Sequence, residues 1–222
     1  MTTVKVAVVM GGASPEHRVS LASGKGIVKA IELLGQTAIP MVIDAEGNWV
    51  DGQHEAIEIL QACDVTIPAL HGEGGALQGF LTQLKIPYVG SGVAASAVGQ
   101  DRHLTKAVLS AHGIPVKPEE LAGREIGVAL LECPDGRVNT ALESHGEPAQ
   151  RLRCMAIEVF QVLGCRGLAR VDFVLPADGH PVVNEINTFP GLTPGSQFPR
   201  MWAAAGLSYA EVVDNLIRTA MR

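Results

Sequence analysis

Four polar side chains on two strand-like segments have the types and spacing needed for metal and phosphate chemistry. Arg170 and Asp172 lie two residues apart in one apolar segment, and Glu185 and Asn187 lie two apart in the next. Alternate residues of a strand share a face, so a hairpin turn at 176–179 would place all four on one surface. Carboxylate and amide oxygens suit Mg²⁺, and an arginine can bind phosphate or an oxyanion. The alternative is a cross-strand charge network on a solvated face.

Two glycine-rich loops in the first half are candidate binding loops. The first, GGASPEHRVS at 11–20, contains Glu16, and the second, HGEGGALQG at 71–79, begins with His71. Glycines let a ligand approach the backbone, and the N–H groups at a helix start suit an anion. The alternative for each loop is a tight turn at the beginning of a helix.

A third loop, at 187–199, is dense in proline and glycine and continues directly from the segment of Asn187. Gly191 can donate its backbone N–H and Ser196 its hydroxyl to a carboxylate or an oxyanion. An ordinary connection does not need this density of stiff and small residues, although that alternative stays open.

Apolar runs and turn residues predict the elements that position these loops. In the first half we expect strands at 4–10, 37–43, 64–70 and 86–89, with helices at about 16–34, 55–62, 76–84, 93–98 and 102–112. This alternation predicts a doubly wound α/β domain with a parallel sheet, in which ligands bind at the carboxyl ends of the strands. Both glycine-rich loops fall at such ends.

The second half has a different pattern. We expect strands at 124–133, 167–175 and 181–187, a helix at 150–163, and short helices up to residue 222. This order predicts an α+β fold with antiparallel strands. We therefore divide the chain into an N-terminal domain, 1–118, and a C-terminal domain, 119–222.

Composition argues against several classes of protein. The net charge is −6, aromatic residues make up 4%, and no lysine/arginine cluster occurs, so a nucleic-acid binder is not expected. The four cysteines do not have the spacing of a zinc site or of a dense disulfide framework. No apolar run approaches the roughly 20 residues of a membrane span, and the N-terminus lacks the pattern of a signal peptide. We expect a cytoplasmic protein without a membrane or nucleic-acid partner.

Taken together and in order, the motifs resemble the D-alanine–D-alanine ligases of the ATP-grasp superfamily. The matching strings are GGxSxEHxVSLxSG (11–24), IPYVGSGVxASA (86–97), DRHLTK (101–106), GREI (123–126), GCRGLARVDF (164–173), NEINTFPGLT (184–193) and PRMWAAAGLSY (199–209). Each string is weak alone, and jointly they are specific and cover most of the chain.

The resemblance implies a reaction and its participants. ATP phosphorylates the carboxylate of one D-alanine, and the amine of a second attacks the acylphosphate to give the dipeptide of peptidoglycan, ADP and phosphate. It also implies Mg²⁺, with Mn²⁺ as a substitute, and a homodimer.

The resemblance further assigns roles to residues of this sequence. Glu16 would hold the amino group of the first D-alanine, with His71 nearby. Arg170 and the Gly191 backbone would stabilise the oxyanion, and Ser196 would bind the carboxylate of the second D-alanine.

The resemblance also assigns residues to the metal and the nucleotide. Asp172, Glu185 and Asn187 would hold Mg²⁺ and with it the nucleotide. Arg102 stands where the family usually has an ATP-contacting lysine.

Three intervals depart from the family pattern. Family members carry most of a central ATP-binding domain where this sequence has only 116–122, and a lid loop with a tyrosine where it has about 142–148. The segment 71–75 is also shorter, with Glu73-Gly74-Gly75 in place of Glu-Asp-Gly. Either the complete protein contains internal residues that this sequence lacks, or the chain is a shortened homologue. We favour the first because all three intervals are mobile parts of a grasp enzyme.

The leading hypothesis is therefore an ATP-dependent D-alanine–D-alanine ligase. A depsipeptide ligase that joins D-alanine to D-lactate is a close alternative, because the two differ chiefly at the lid and the second-substrate pocket. A non-catalytic remnant without an ATP clamp is the alternative from another class.

Overall fold

The computed structural model describes residues 3–142 and 147–222, and its first half is built on a parallel sheet. The strands lie in the order β2-β1-β3. The elements of this half are β1 Lys5–Gly11, α1 His17–Leu33, β2 Thr37–Ile43, α2 Gln53–Gln61, β3 Val65–Pro68, α3 Ala76–Gln83, α4 Val93–Gln100 and α5 Arg102–Ala111. The doubly wound α/β prediction is confirmed.

Local residue types account for this half of the fold. From Val6 onward β1 is fully buried, as expected for the central strand of a sheet covered on both faces. Pro40 lies in β2, an edge strand, where its missing N–H is tolerated. Gly35 follows α1 with a φ of +70°, the left-handed conformation that commonly ends a helix.

The second half forms a four-stranded antiparallel sheet in the order β5-β4-β6-β7. Its elements are β4 Arg124–Glu132, β5 Val138–Ala141, α6 Glu147–Val162, β6 Leu168–Leu175, β7 Val182–Asn187, α7 Gln197–Ala204 and α8 Tyr209–Ala220. The antiparallel α+β prediction is also confirmed.

Two predictions about strands need correction. The segment 86–89 makes only a parallel bridge between Tyr88 and Thr66, because Pro87 has no N–H with which to extend a ladder. Strand β5 was not predicted. It is four residues long and pairs with β4 across the turn at 134–136, so Pro134-Asp135-Gly136 was the available signal for this hairpin.

The two sheets share one apolar core. One apolar cluster contains residues from the strands of both sheets, and α1 packs against α8 across it; its members include Val6, Ile27, Ile67, Leu131, Trp202 and Leu216. Because this core joins the halves, the ends of the parallel strands face one end of the antiparallel sheet. The boundary at residue 118 stays a prediction. Among the described helices, none is long and apolar enough to cross a membrane.

Candidate active site

The two glycine-rich loops lie side by side at the carboxyl edge of the parallel sheet. The hydroxyl of Ser14 donates to the carbonyl of His71 at 2.6 Å and joins the loops directly. The hydroxyl of Ser20 accepts from the N–H of Gly11 at 2.8 Å and donates to the carbonyl of Ala69 at 2.6 Å. These bonds hold the ends of β1 and β3 in one arrangement.

A cavity of about 330 Å³ opens between these loops and the end of β7. It brings together five of the residues predicted from the sequence. They are Glu16, His71, Arg102, Glu185 and Asn187. The cavity is therefore lined from both the parallel and the antiparallel regions.

His71 lies at the buried side of this cavity. Its residue is 7% exposed, its ring stands edge-on to Phe189 at 6.1 Å, and its Nε2 has no hydrogen-bond partner among the described residues. Burial lowers the pKa of His71, although the charge of Glu16 and a backbone hydrogen bond at Phe189 act in the opposite direction. Burial thus favours the neutral imidazole, and its Nε2 is available to a ligand as far as the described residues show.

The predicted hairpin places its four polar side chains on one face. Arg170 lies opposite Asn187, and Asp172 lies opposite Glu185, with a bulge immediately after that pair. All four are half-buried, whereas Val171 and Ile186 between them face the core. The prediction of a shared surface is confirmed.

Each carboxylate on this face is bound by an arginine. Arg170 binds Asp172 through Nε at 2.9 and 3.1 Å and through Nη2 at 2.7 Å. Arg102 Nη2 binds Glu185 Oε2 at 2.5 Å. Burial opposes the charge of Arg170, but the hydrogen bonds and charge of Asp172, with Glu185, raise the pKa of Arg170. The face is electrically balanced before any ligand enters.

Four of the predicted residues do not line the cavity. Arg170 and Asp172 lie one strand away from it, beside Gly127 of β4. Gly191 and Ser196 lie in the following loop, where a Cβ at Gly191 would be 3.3 Å from Ser196 Oγ. The Ser196 hydroxyl is hydrogen-bonded to that of Thr193.

Glu73 is a cavity residue that the sequence did not single out. It lines the cavity with Glu16 and Glu185, and a Cβ at Gly12 would come within 2.2 Å of its Oε1. Its position in the loop that begins at His71 was the available signal. Three carboxylates against the one arginine, Arg102, make the cavity suited to cationic groups.

A second cavity, of about 260 Å³, lies on the other side of Arg102 and is basic. Its lining contains three cationic side chains, from Arg102, Lys106 and Lys117, together with His103 and the single acid Glu119. The backbone N–H of Lys117 donates to the carbonyl of Val183 at 2.7 Å, which attaches this segment to β7. Arg102 therefore separates an acidic cavity from a basic one.

Comparisons with known proteins agree with this architecture. Family models match residues 5–61, as the D-ala D-ala ligase N-terminus, and residues 135–218, as the D-ala D-ala ligase C-terminus. A D-alanine–D-alanine ligase of Nocardia farcinica is 30% identical over 353 aligned positions, covering 98% of this chain and 97% of the relative. The chain belongs to the D-alanine–D-alanine ligase family.

Further members of the ligase family give the same result. A D-alanine–D-alanine ligase of Mycolicibacterium smegmatis is 30% identical to this chain, and the alignment covers 98% of this chain and 95% of that ligase. The solved D-alanine–D-alanine ligase of Coxiella burnetii superposes with a TM-score of 0.85 at 26% identity, covering 99% of this chain and 95% of that one.

The alignment also locates the departure from other ligases. It extends over 353 positions against 222 residues here, so more than a third of the aligned positions have no residue of this chain opposite them. Residues 116–122 form a short connection from α5 to β4, where the family resemblance implies most of a domain. The proposed loss of a lid at 142–148 falls largely on 143–146, outside the described residues.

The hairpin face has the donor types that a ligase needs for Mg²⁺. Two carboxylates and one amide oxygen suit an ion that keeps several water or phosphate ligands. No group of three or more His, Cys, Asp or Glu side chains with metal-site geometry occurs in the described parts of the chain. Asp172, Glu185 and Asn187 have the ligand types that would suit the ion, and each of the two carboxylates is bound by an arginine in this structure.

Proposed function

We propose that this chain joins two molecules of D-alanine in an ATP-dependent reaction that supplies peptidoglycan synthesis. The observation that carries the proposal is the 330 Å³ cavity, which places Glu16 and His71 of the loop region against Glu185 and Asn187 of the hairpin. Side chains of these types would suit an amino acid on one side of the cavity and a phosphate–metal group on the other.

The acidic half of the cavity supports the amino-acid role. Glu16 would bind the ammonium of the first D-alanine, since a carboxylate is the natural partner of that group. His71, buried and neutral, would contact the same substrate through its free Nε2. Glu73 adds a further negative charge beside them.

The following loop and Arg170 would act on the reacting carbonyl and the second substrate. The Gly191 N–H and Arg170 would stabilise the oxyanion that forms when the second amine attacks the acylphosphate. Ser196 would bind the second carboxylate. The ammonium of the second D-alanine must first lose a proton, because only the neutral amine has the lone pair that attacks. The C–O bond to the phosphoryl group then breaks and inorganic phosphate leaves, and the nitrogen loses a second proton as the amide forms.

ATP and Mg²⁺ would lie between the acidic and basic cavities. Arg102, Lys106 and Lys117 offer the cationic surface that a polyphosphate requires. When bound at Asp172, Glu185 and Asn187, Mg²⁺ or Mn²⁺ would neutralise phosphate charge.

Family membership supports three further parts of the proposal. The chain would be divided into domains 1–118 and 119–222, would form a homodimer, and would act in the cytoplasm on small molecules, without nucleic-acid or membrane partners.

A specific observation favours a second candidate function, a D-alanine-binding protein without ligase activity. The connection at 116–122 leaves few residues to cover an adenine base, while the loops of Glu16 and His71 are joined to each other through Ser14. A ligase that uses D-lactate as second substrate is a variant of the first proposal and differs in its product.

The proposal is tested with the purified full chain, whose intact mass is measured first. A mass well above 23.3 kDa would show that the complete protein contains internal residues absent here. Phosphate release is then followed with ATP, Mg²⁺ and D-alanine, and the product is identified by mass spectrometry. D-lactate is supplied together with D-alanine in a parallel reaction.

The outcomes separate the candidates. D-alanyl-D-alanine formation that is reduced in Glu185→Gln supports the ligase. A depsipeptide product identifies the D-lactate variant. Calorimetric binding of D-alanine without ATP binding or turnover identifies the binding protein and rejects the ligase.

A further inference from the structure

Leu192 is held at both of its backbone polar groups by side chains from distant parts of the chain. Its N–H donates to Ser23 Oγ of α1 at 3.3 Å, and its carbonyl accepts from the hydroxyl of Tyr209 at 2.6 Å. The Leu192 side chain has no exposed surface. One residue of the loop 188–196 is therefore fixed from two sides.

The approach of this loop to α1 depends on a glycine. A Cβ at Gly26 would lie 3.1 Å from Cδ of Pro194 and 3.2 Å from the Tyr209 hydroxyl oxygen. Both distances are tighter than ordinary van der Waals contact. Gly26 thus leaves the space in which the loop and Tyr209 meet the helix.

Helix α1 connects this contact to the opposite side of the active site. Glu16 is the N-cap residue of α1, and Ser23 lies seven residues further along the chain. At 1.5 Å per residue the separation along the helix axis is about 10 Å. A single rigid element therefore carries Glu16 at its start and the anchor of Leu192 two turns later.

The hydrogen bond from Tyr209 persists over the physiological pH range, and helix α8, which contains Tyr209, does not depend on this bond in order to form. Burial raises the pKa of Tyr209, so its hydroxyl stays protonated and remains a donor. Helix α8 is capped independently, because Ser208 and Glu211 form a capping box. Removing the hydroxyl should leave α8 intact.

We propose that Ser23 and Tyr209 are positioning residues that set the loop of Gly191 and Ser196 relative to Glu16, and so place the second substrate against the first. The inference rests on the proposed function of that loop. Neither side chain lines the cavity of Glu16 and Glu185, and both would act through the Leu192 backbone. A purely structural anchor would change stability alone, whereas a positioning role changes the second-substrate step selectively.

The test uses Tyr209→Phe and Ser23→Ala, with Tyr88→Phe as the matched control. The Tyr88 hydroxyl is hydrogen-bonded to that of Thr82 at 3.2 Å in an exposed contact, and this bond does not involve the loop 188–196. Hydrogen–deuterium exchange is measured in peptides covering 188–196. We expect about tenfold faster exchange there in Tyr209→Phe and little change in the control, since one buried hydrogen bond is lost.

Kinetics and product binding supply the second measurement. We expect Tyr209→Phe to lower kcat or raise KM for the second D-alanine by about five- to tenfold, with KM for the first unchanged. Binding of D-alanyl-D-alanine should weaken in parallel, while binding of D-alanine at the Glu16 side should not.

Each result bears on a defined claim. Unchanged exchange in 188–196 overturns the anchoring of the loop. If exchange is faster but the kinetic constants for both D-alanines change equally, or do not change, the positioning role is overturned. The proposed function still stands in that case, provided that the wild-type chain ligates D-alanine. A wild-type chain that neither ligates nor binds D-alanyl-D-alanine overturns the proposed function, and this inference with it.

Discussion

The loops at the edge of the parallel sheet and the face of the antiparallel hairpin meet at one cavity but are prepared for ligands differently. On the loop side, Ser14 joins the loops, and His71 keeps a buried nitrogen without a partner among the described residues. On the hairpin side, Asp172 and Glu185 are each bound by an arginine. The loop side is preformed, whereas the carboxylates of the hairpin side would have to exchange their arginine partners for the proposed metal ion.

The difference follows from the charge that each side would receive. Under the proposed function, a D-alanine ammonium would bring its own positive charge to Glu16, so no internal counter-ion would be needed there. Two carboxylates facing each other across a strand pair repel one another unless cations separate them. The arginines supply that charge in this structure, and under the proposed function they would become available to phosphate or an oxyanion once Mg²⁺ binds.

The largest expected effect tests the hairpin side. Arg170→Ala should lower kcat by about 10²-fold or more, as expected for loss of an oxyanion-stabilising group. Arg170→Lys keeps the charge without the two-pronged contact to Asp172, and should be intermediate. Steady-state rates at saturating ATP and D-alanine measure the effect. A near-wild-type kcat in Arg170→Ala would remove this residue from the reaction.

The loop side is tested by Glu16→Gln, which should raise KM for the first D-alanine by about tenfold through loss of a charged partner. Because this side is preformed, the increase should be the same at low and at saturating Mg²⁺. Glu32→Gln, exposed at the other end of α1, is the control. If the increase in KM depended on the Mg²⁺ concentration, the glycine-rich loops and the hairpin face would not bind their ligands independently.

Sequence patterns predicted one side of the site better than the other. The shared face of Arg170, Asp172, Glu185 and Asn187 followed from strand periodicity and one turn. The ion pair of Arg102 with Glu185 joins residues 83 apart and depends on how α5 packs beside β7, which no local pattern contains. The same reason hid the role of Ser14 between two loops.

Removing the arginine partner of Glu185 should have a smaller effect, and it should strengthen metal binding, whereas the two preceding substitutions weaken function. Arg102→Ala should tighten Mn²⁺ binding to the nucleotide-free protein by about three- to fivefold, since the competing cation is gone. The effect is modest because the Arg102 side chain is 75% exposed. Electron paramagnetic resonance of free Mn²⁺ measures it without turnover. Arg137→Ala, which breaks an exposed pair with Asp135, is the control. Weaker or equal Mn²⁺ binding would contradict competition at Glu185.

The smallest effect concerns His71 and the pH dependence of folding. Because burial lowers its pKa below 6.5, the unfolded chain binds the proton more readily than the folded protein. The stabilising contribution of neutral His71 is therefore complete above about pH 6.5 and is lost as the pH falls through the folded-state pKa.

His71→Gln should accordingly reduce the loss of stability between about pH 7 and pH 5, measured as the urea midpoint at several pH values. His54→Gln is the control, because the His54 side chain is 83% exposed beside Glu58. An unaltered pH slope in His71→Gln would mean that the imidazole is already solvated in the folded protein. The loops around His71 would then not hold a nitrogen shielded from water. The proposed difference between preformed loops and a hairpin face with paired carboxylates would lose its main support.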